Sequence, residues 1–133
     1  MAVKIKIIRA TDFLQVSPEG ELDLDASRRL LVAVASAKRP PADFEVLLDL
    51  REVEWDLSTT DIWSLAKELG RHGETFRDKL AVLAAPGEAF DQAEFFELCS
   101  QNRGYRVEAF SSFEEAIQWL FPAVAVQAGE PPN

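Results

Sequence analysis

Short apolar runs alternate along the chain with longer stretches whose apolar residues recur at helical spacing, and this alternation constrains the fold most. Residues 44–50 (FEVLLDL) and 80–85 are almost unbroken apolar runs that are too short for helices, as in strands buried on both faces. Between them, Ile62, Leu65 and Ala66 recur at the spacing of one helix face. Strands that alternate with helices indicate right-handed crossovers and a largely parallel sheet, and hence an α/β fold.

The start of the chain predicts a hairpin. Residues 3–7 alternate apolar and basic side chains, which is typical of a strand with one wet face. A turn at residues 9–12 would join it to an antiparallel partner over residues 13–16. Residues 17–20 (SPEG) have turn chemistry, because Pro presets φ and Gly admits positive φ, so we expect the second strand to end there.

Capping residues and stop signals delimit four helices and give the order β-β-α-β-α-β-α-β-α. The helices are expected to begin after Asp23 or Asp25, after residues 58–61, near residue 88, and after Ser111 or Ser112. They are expected to end at residues 39–41, at Gly70 or Gly73, near residues 102–104, and near residue 121. The last strand is predicted over residues 105–110, and the core is expected to contain Val46, Leu48, Ile62, Leu65, Leu80, Val82 and Leu120.

The predicted architecture is a single α/β domain with a mixed, mostly parallel sheet of about five strands and four helices. The 133-residue length suits one domain, which we place over residues 1–121. Residues 122–133 contain Pro and Gly without a sustained apolar period, so we expect a flexible tail.

Composition excludes several classes of function. The chain has 14 basic and 23 acidic residues, and its net charge of −9 repels phosphate backbones, so no nucleic-acid partner is expected. One Cys excludes an internal disulfide, and one Cys with one His leaves too few soft ligands for a zinc site. No apolar run approaches about 18 residues and the start has no apolar h-region, so a soluble, cytoplasmic protein without a membrane span is predicted.

Catalytic constellations are missing from the sequence. His72 lies at the end of the second helix, where the macrodipole favours a cation. Cys99 lies in line with Ala93 and Phe96, as a small buried hydrophobic residue would. The six glycines match neither a P-loop nor a dinucleotide-binding fingerprint. We therefore predict that the protein is not an enzyme and uses no cofactor or metal.

Carboxylates leave two interpretations open. Asp49, Glu52, Glu54, Asp56 and Asp61 could bind a divalent cation or perform acid–base chemistry, or they could form the solvated surface of an acidic protein. The second interpretation is favoured by the net charge. Asp49 stands apart because it ends an apolar strand, where α/β folds place their sites.

The hydroxyl cluster Ser58-Thr59-Thr60 stands at a strand-to-helix junction. Plain helix capping explains it. In a functional interpretation, a phosphate on Ser58 would also gain from the free N–H groups at the helix N-terminus. The spacing alone favours capping.

Several segments together resemble the STAS domain. They are residues 20–23 (GELD) ahead of a helix, residues 47–50 (LLDL), and the hydroxyl cluster at residues 58–60 that opens the next helix. The STAS family includes the anti-sigma-factor antagonists (SpoIIAA-like proteins) and the cytoplasmic tails of sulphate transporters. The resemblance covers roughly residues 3–121, and residues 111–116 (SSFEEA) are more similar to the divergent SpoIIAA-like branch, which shares its fold with small lipid-transfer domains.

The resemblance implies a non-enzymatic regulatory module that binds another protein, such as an anti-sigma factor or a kinase-like partner. In the antagonists, an Asp-Ser-Ser-Gly stretch opens the second helix, and its first Ser is phosphorylated by a partner kinase. Ser58 falls on that position, within residues 57–60 (LSTT). Asp23 matches the acidic residue beside the family's site, and Asp56 lies one place before the family's Asp. The implied partner-binding site is Ser58, Thr59, Asp23 and Asp56.

Large apolar side chains outside the helix stripes suggest an alternative function. Phe90 and Phe95 project away from the apolar face of the third helix, and Trp63 flanks the stripe of the second. Two explanations are open for these side chains. They are either buried between the sheet and the neighbouring helices, or they line an apolar groove. In the alternative function, these three residues line a groove that carries a small apolar or lipid-like ligand.

Overall fold

The structure is a computed structural model and describes residues 4–9, 13–37, 45–72 and 75–122. Its strands are β1 (Lys4–Arg9), β2 (Phe13–Leu22), β3 (Glu45–Asp49), β4 (Val53–Trp55), β5 (Leu80–Leu83) and β6 (Val107–Phe110). Its α-helices are α1 (Leu24–Ala37), α2 (Thr59–Glu68), α3 (Glu88–Gln101) and α4 (Phe113–Leu120), and a 3-10 turn at Leu69–His72 follows α2 directly.

The main sheet is mixed and has the strand order β1-β2-β3-β5-β6. β1 is antiparallel to β2, whereas β2 with β3, β3 with β5, and β5 with β6 are parallel pairs. The predicted α/β architecture is therefore confirmed: the described residues form a mostly parallel sheet with one antiparallel edge strand, together with four helices.

β2 runs further than predicted, and the turn expected at residues 17–20 is wrong. The strand continues because this segment stays paired with β1, where Pro18 lies opposite Ile5. On the other side of β2, Pro18 falls between the residues that pair with β3 and those that pair with β4. Because neither strand pairs with Pro18 there, its missing N–H removes no hydrogen bond to β3 or β4. Gly20 follows with a φ of 109°, which a residue without Cβ adopts freely.

β4 is a strand that the sequence analysis does not predict. It pairs in parallel with the second half of β2, with Gly20 opposite Val53 and Leu22 opposite Trp55. Apolar Val53 and Trp55 on either side of Glu54 form a period-two pattern, which is the only local signal for this strand. A pattern three residues long does not distinguish a strand from a loop, so tertiary pairing decides the matter.

The main sheet has two apolar faces that are covered by different helices. The first face carries Leu14, Leu48 and Val82 and packs against buried residues of α1, α2 and α3. The second carries Leu47 and Leu83 and packs against α4. All the residues predicted for the core are buried: Val46, Leu48, Ile62, Leu65, Leu80, Val82 and Leu120.

Side-chain caps fix the starts of α1 and α4. The Asp23 carboxylate accepts a hydrogen bond from the Ala26 N–H at 2.8 Å, and so caps α1. Asp25, the other candidate, instead pairs with Arg29 at 3.1 Å. Ser112 caps α4 through its hydroxyl. These helix starts agree with the sequence because each depends on side chains within one turn.

Some predictions fall on residues outside the described ranges. They are the hairpin turn beyond Arg9, the end of the first helix at residues 39–41, and all but the first residue of the tail predicted at residues 122–133, so the domain boundary at residue 121 stays a prediction. The ends of β5, α3 and β6 differ from the expected ends by one or two residues.

None of the helices within the described ranges is long and apolar enough to cross a bilayer.

Leu120→Ala is expected to lower the free energy of unfolding by about 2–5 kcal/mol, because it opens a cavity between α4 and the second sheet face. Urea unfolding measures the change. The matched control is Leu98→Ala in α3, where the side chain is 54% exposed and the change should stay within about 0.5 kcal/mol. Equal losses in the two variants would contradict the packing of α4 on the sheet.

Candidate functional site

Carboxylates converge where β2 and β4 end side by side. The parallel register places Glu21 opposite Glu54, and Asp23 and Asp56 follow directly. The Asp56 N–H donates to the Leu22 carbonyl at 3.0 Å, which holds the two strand ends together. All four acidic residues are exposed, and we call them the acidic edge. β4, which the sequence did not reveal, is what brings Asp56 alongside Asp23.

The four carboxylates of the acidic edge interact electrostatically, and the effect falls on the pKa of Glu21. A hydrogen bond with the Asp56 side chain and repulsion from its negative charge raise the pKa of Glu21, and the charges of Asp23 and Glu54 add to the rise. The acidic edge is therefore a local concentration of negative charge, at the end of the sheet where parallel α/β folds place their binding sites.

Ser58 begins α2 at this same end of the sheet. Its hydroxyl accepts a hydrogen bond from the Asp61 N–H at 3.1 Å, and its own N–H donates to the Asp61 carboxylate at 3.0 Å. This reciprocal pair is a capping box. Ser58, Thr59 and Thr60 are all exposed, so the predicted capping role is confirmed and the hydroxyls stay accessible to a partner.

Leu57 anchors the loop that presents Ser58. Its side chain is buried, and its carbonyl accepts a hydrogen bond from the Gln92 amide at 3.4 Å. Ser58 thus follows a residue fixed in the core and lies two places beyond Asp56. The structure brings Asp23, Asp56 and Ser58 to one end of the sheet, together with Thr59 in the first turn of α2.

Asp49 forms a structural ion pair. The Arg51 guanidinium donates to both of its carboxylate oxygens at 2.9 Å, and the Arg51 N–H donates at 3.2 Å. Burial by itself raises the pKa of Asp49, but the hydrogen bonds and charge of Arg51 outweigh it and hold the pKa below its usual value. A carboxylate fixed in this way stabilises the turn after β3 and does not act as an acid or base near neutral pH.

The other candidate carboxylates do not assemble into a metal site. Glu52 is exposed in the turn before β4, and Asp61 is engaged in the capping box. Within the described ranges, no group of three or more His, Cys, Asp or Glu side chains has the geometry to hold a metal ion.

None of the three proposed groove residues lines the cavity that lies in the main core. Trp63 is 46% exposed on α2, whereas Phe90 and Phe95 are half-buried against the main core. A cavity of about 40 Å³ lies instead between the helices and the first sheet face, with Trp55 and Phe96 among its lining residues. That volume suits a few water-sized molecules and is far too small for an acyl chain. The ligand-carrier alternative stays a prediction.

The lone His and Cys lie away from the acidic edge. His72 ends the 3-10 turn, and its ring meets Phe76 edge-on with centroids 5.5 Å apart. Cys99 is buried as predicted, and burial raises the pKa of its thiol despite the nearby Arg103. A raised pKa lowers the thiolate fraction, which makes Cys99 a poor nucleophile.

Comparisons with known proteins identify the fold. The sequence matches no family model and no curated protein. It matches the structure of an uncharacterised DUF3478-family protein with a SpoIIAA-like fold from Shewanella loihica PV-4, at 20% identity and a TM-score of 0.59 over 90% of this chain and 94% of that one. This chain has the SpoIIAA-like fold.

Two further solved structures with the SpoIIAA-like architecture also match. An anti-sigma factor antagonist from Mycobacterium paratuberculosis is 18% identical with a TM-score of 0.54, over 90% of this chain and 94% of that one. The anti-sigma factor antagonist SpoIIAA in its unphosphorylated form is 14% identical with a TM-score of 0.57, over 91% of this chain and 97% of that one. The resemblance predicted from the sequence is confirmed at the level of the SpoIIAA-like fold.

Glu21→Gln is expected to remove a pH dependence of stability. Because folding raises the pKa of Glu21, its contribution to stability is present below the unfolded value of 4.5 and is lost as the pH rises through the folded value. Wild type should therefore lose stability relative to the variant as the pH rises above the unfolded value of 4.5, measured by urea unfolding. Glu19→Gln, on the same strand, controls for the loss of one charge. Parallel profiles for wild type and Glu21→Gln would contradict the coupling at the acidic edge.

Asp49→Asn is expected to lower the free energy of unfolding by about 1–3 kcal/mol at neutral pH, because the amide keeps the shape but not the charge that holds Arg51. The lowered pKa means that this stabilisation is present above the unfolded value of 3.8 and is lost as the pH falls through the folded value. Urea unfolding at several pH values, beside the exposed Glu52→Gln, checks both points. A deficit that does not shrink in acid would count against the ion pair.

Proposed function

We propose that the chain is a non-enzymatic, cytoplasmic protein-interaction module whose working surface is Ser58, Thr59 and the neighbouring Asp23 and Asp56. The observation that carries the proposal is the exposed Ser58 at the start of α2, at the same end of the sheet as the acidic edge. The SpoIIAA-like fold adds support, because two matching structures are anti-sigma factor antagonists. By that likeness, the partner is an anti-sigma factor or a kinase-like protein.

The chemistry of the described residues favours binding over turnover. Asp49 is held ionised by Arg51, and Cys99 is buried with a raised thiol pKa. Glu21 and Asp56 are exposed and interact with each other, without a nucleophile between them. A rigid end of a sheet that presents hydroxyls and carboxylates to solvent recognises a partner through hydrogen bonds and charge.

Phosphorylation of Ser58 would act on this surface as an off switch. A phosphate adds about −1.5 to −2 charges at neutral pH, and a helix N-terminus offers an exposed anion up to about 1 kcal/mol of stabilisation. Against that gain stand Asp56, two residues away, and Asp61, whose carboxylate already accepts from the Ser58 N–H. Since repulsion of this kind matches or exceeds the gain at low salt, phosphorylation would act mainly by adding negative charge to this chain's already acidic partner-facing surface, and so would weaken binding more than it would alter the fold.

Three substitutions at Ser58 separate the capping role from the switching role. Ser58→Asn keeps a cap without charge, Ser58→Asp keeps a cap and adds charge, and Ser58→Ala removes the cap at a cost of about 1 kcal/mol. Ser112→Asp is the matched control, because Ser112 caps α4 in the same way and follows β6, away from β2 and β4.

The measurement is capture of partners from lysate of the source organism by each immobilised protein, followed by titration of the captured partner. We expect Ser58→Asn and Ser112→Asp to bind like wild type, and Ser58→Asp to bind at least about tenfold more weakly, which is about 1.4 kcal/mol. Intact-mass analysis of protein from the same source shows whether Ser58 carries phosphate. If Ser58→Asp binds its partner as tightly as wild type at low salt, Ser58 is only a helix cap.

A further inference from the structure

Trp63 is exposed halfway along α2, between two cations. Its side chain is 46% exposed, the Arg103 guanidinium lies 5.1 Å from the ring centroid, and the Lys67 ammonium lies 5.7 Å from it. We call these three residues the Trp63 patch. Tryptophan and arginine dominate the energetics of protein interfaces, so an exposed pair of this kind marks a candidate contact surface.

The tertiary fold creates this patch from segments distant in sequence. The turn after α3 packs against the 3-10 turn after α2, so that a Cβ on Gly70 would lie 3.3 Å from the Tyr105 hydroxyl oxygen. The same two turns carry Arg71 and Arg106, which are exposed. The Glu68 carboxylate pairs with Arg71 at 3.4 Å. Positive charge therefore collects at this end of a chain whose net charge is −9.

Lys67 and Arg103 carry the positive charge of the patch. Among the described residues, no carboxylate lies within ion-pairing distance of Lys67 or Arg103. Lys67 is largely screened from the Ser58 end of α2, because nine residues of helical rise separate them, about 13.5 Å, and the Debye length at physiological salt is about 8 Å. A partner approaching the patch meets positive charge and an aromatic surface.

We propose that the Trp63 patch binds an acidic protein segment that carries a large apolar side chain. Carboxylates of the segment pair with Lys67 and Arg103, and the apolar side chain covers Trp63, which removes water from both contacts. An extended polyanion such as a nucleic acid fits less well, because it reaches beyond the patch to a surface that repels it. This surface is distinct from Ser58, so the inference does not depend on the proposed function.

The test uses the full chain, labelled with ¹⁵N, and a terminally blocked decapeptide of Asp and Glu with two Leu residues. We expect a saturable shift of the Trp63 indole N–H resonance, assigned with Trp63→Phe, while those of Trp55 and Trp119 stay in place. The dissociation constant should be about 1 mM or tighter and should rise at least about threefold between about 50 and 300 mM salt.

Charge-matched variants show whether the patch is the site. Arg103→Glu should weaken binding at least about tenfold, whereas Arg29→Glu, which makes the same charge change on α1, should leave it within about twofold. Ser58→Asp should also bind the peptide normally, which keeps a failure here distinct from a failure of the proposed function.

Four results of the binding titrations would overturn the inference. They are the absence of a saturable shift at about 2 mM peptide, an equal loss in Arg29→Glu, equal binding of a decapeptide without Leu, and tighter binding of a single-stranded oligonucleotide. Concentration-dependent self-association that Arg103→Glu abolishes would also overturn it, because the occupant would then be a second copy of this chain.

Discussion

The extended pairing of β2 is the constraint on which the rest of the structure depends. This strand pairs with β1 along one side and with β3 and then β4 along the other. Buried backbone N–H and C=O groups need partners, so the three neighbours together hold ten residues extended through a Pro and a Gly. A turn at Pro18 would leave β4 without its partner and would separate Asp23 from Asp56.

The acidic edge costs stability that other parts of the fold supply. Folding brings Glu21 against Asp56, and their hydrogen bond together with the repulsion between their charges raises the pKa of Glu21. Nearby polar interactions have the opposite sign: the Ser58 capping box and the Asp49–Arg51 pair both favour the folded state. The rest of the fold thus offsets the unfavourable charge at this edge. Such a local cost to stability is expected at a surface that binds a partner.

α2 separates two surfaces of opposite charge. Asp61 lies in its first turn and Lys67 in its last, which complements the helix macrodipole at both ends. The same arrangement places Ser58 beside carboxylates and Trp63 beside cations. Because Ser58 and Lys67 are farther apart along α2 than a Debye length at physiological salt, each of these two charged ends can contact a partner of opposite charge with little influence from the other.

The sequence by itself determined the features that depend on neighbours along the chain. Apolar residues at helical spacing predicted α2 and α4, and unbroken apolar runs predicted the central strands. Capping chemistry predicted Asp23, Ser58 and Ser112 as helix starts. The resemblance to SpoIIAA-like proteins added the choice of Ser58 as a candidate site. Each of these signals lies within a few residues, where side chain and backbone geometry are linked directly.

Only the tertiary structure decided the rest, because it depends on contacts between distant segments. Cross-strand pairing overrode the local turn chemistry around Pro18 and made a strand of β4, which placed Asp56 beside Asp23. The contact of Arg103 with Trp63 joins residues forty positions apart, through the packing of α3 on α2. A sequence pattern within one segment cannot predict such a contact. The contact stabilises the protein only after both segments have folded against the same sheet.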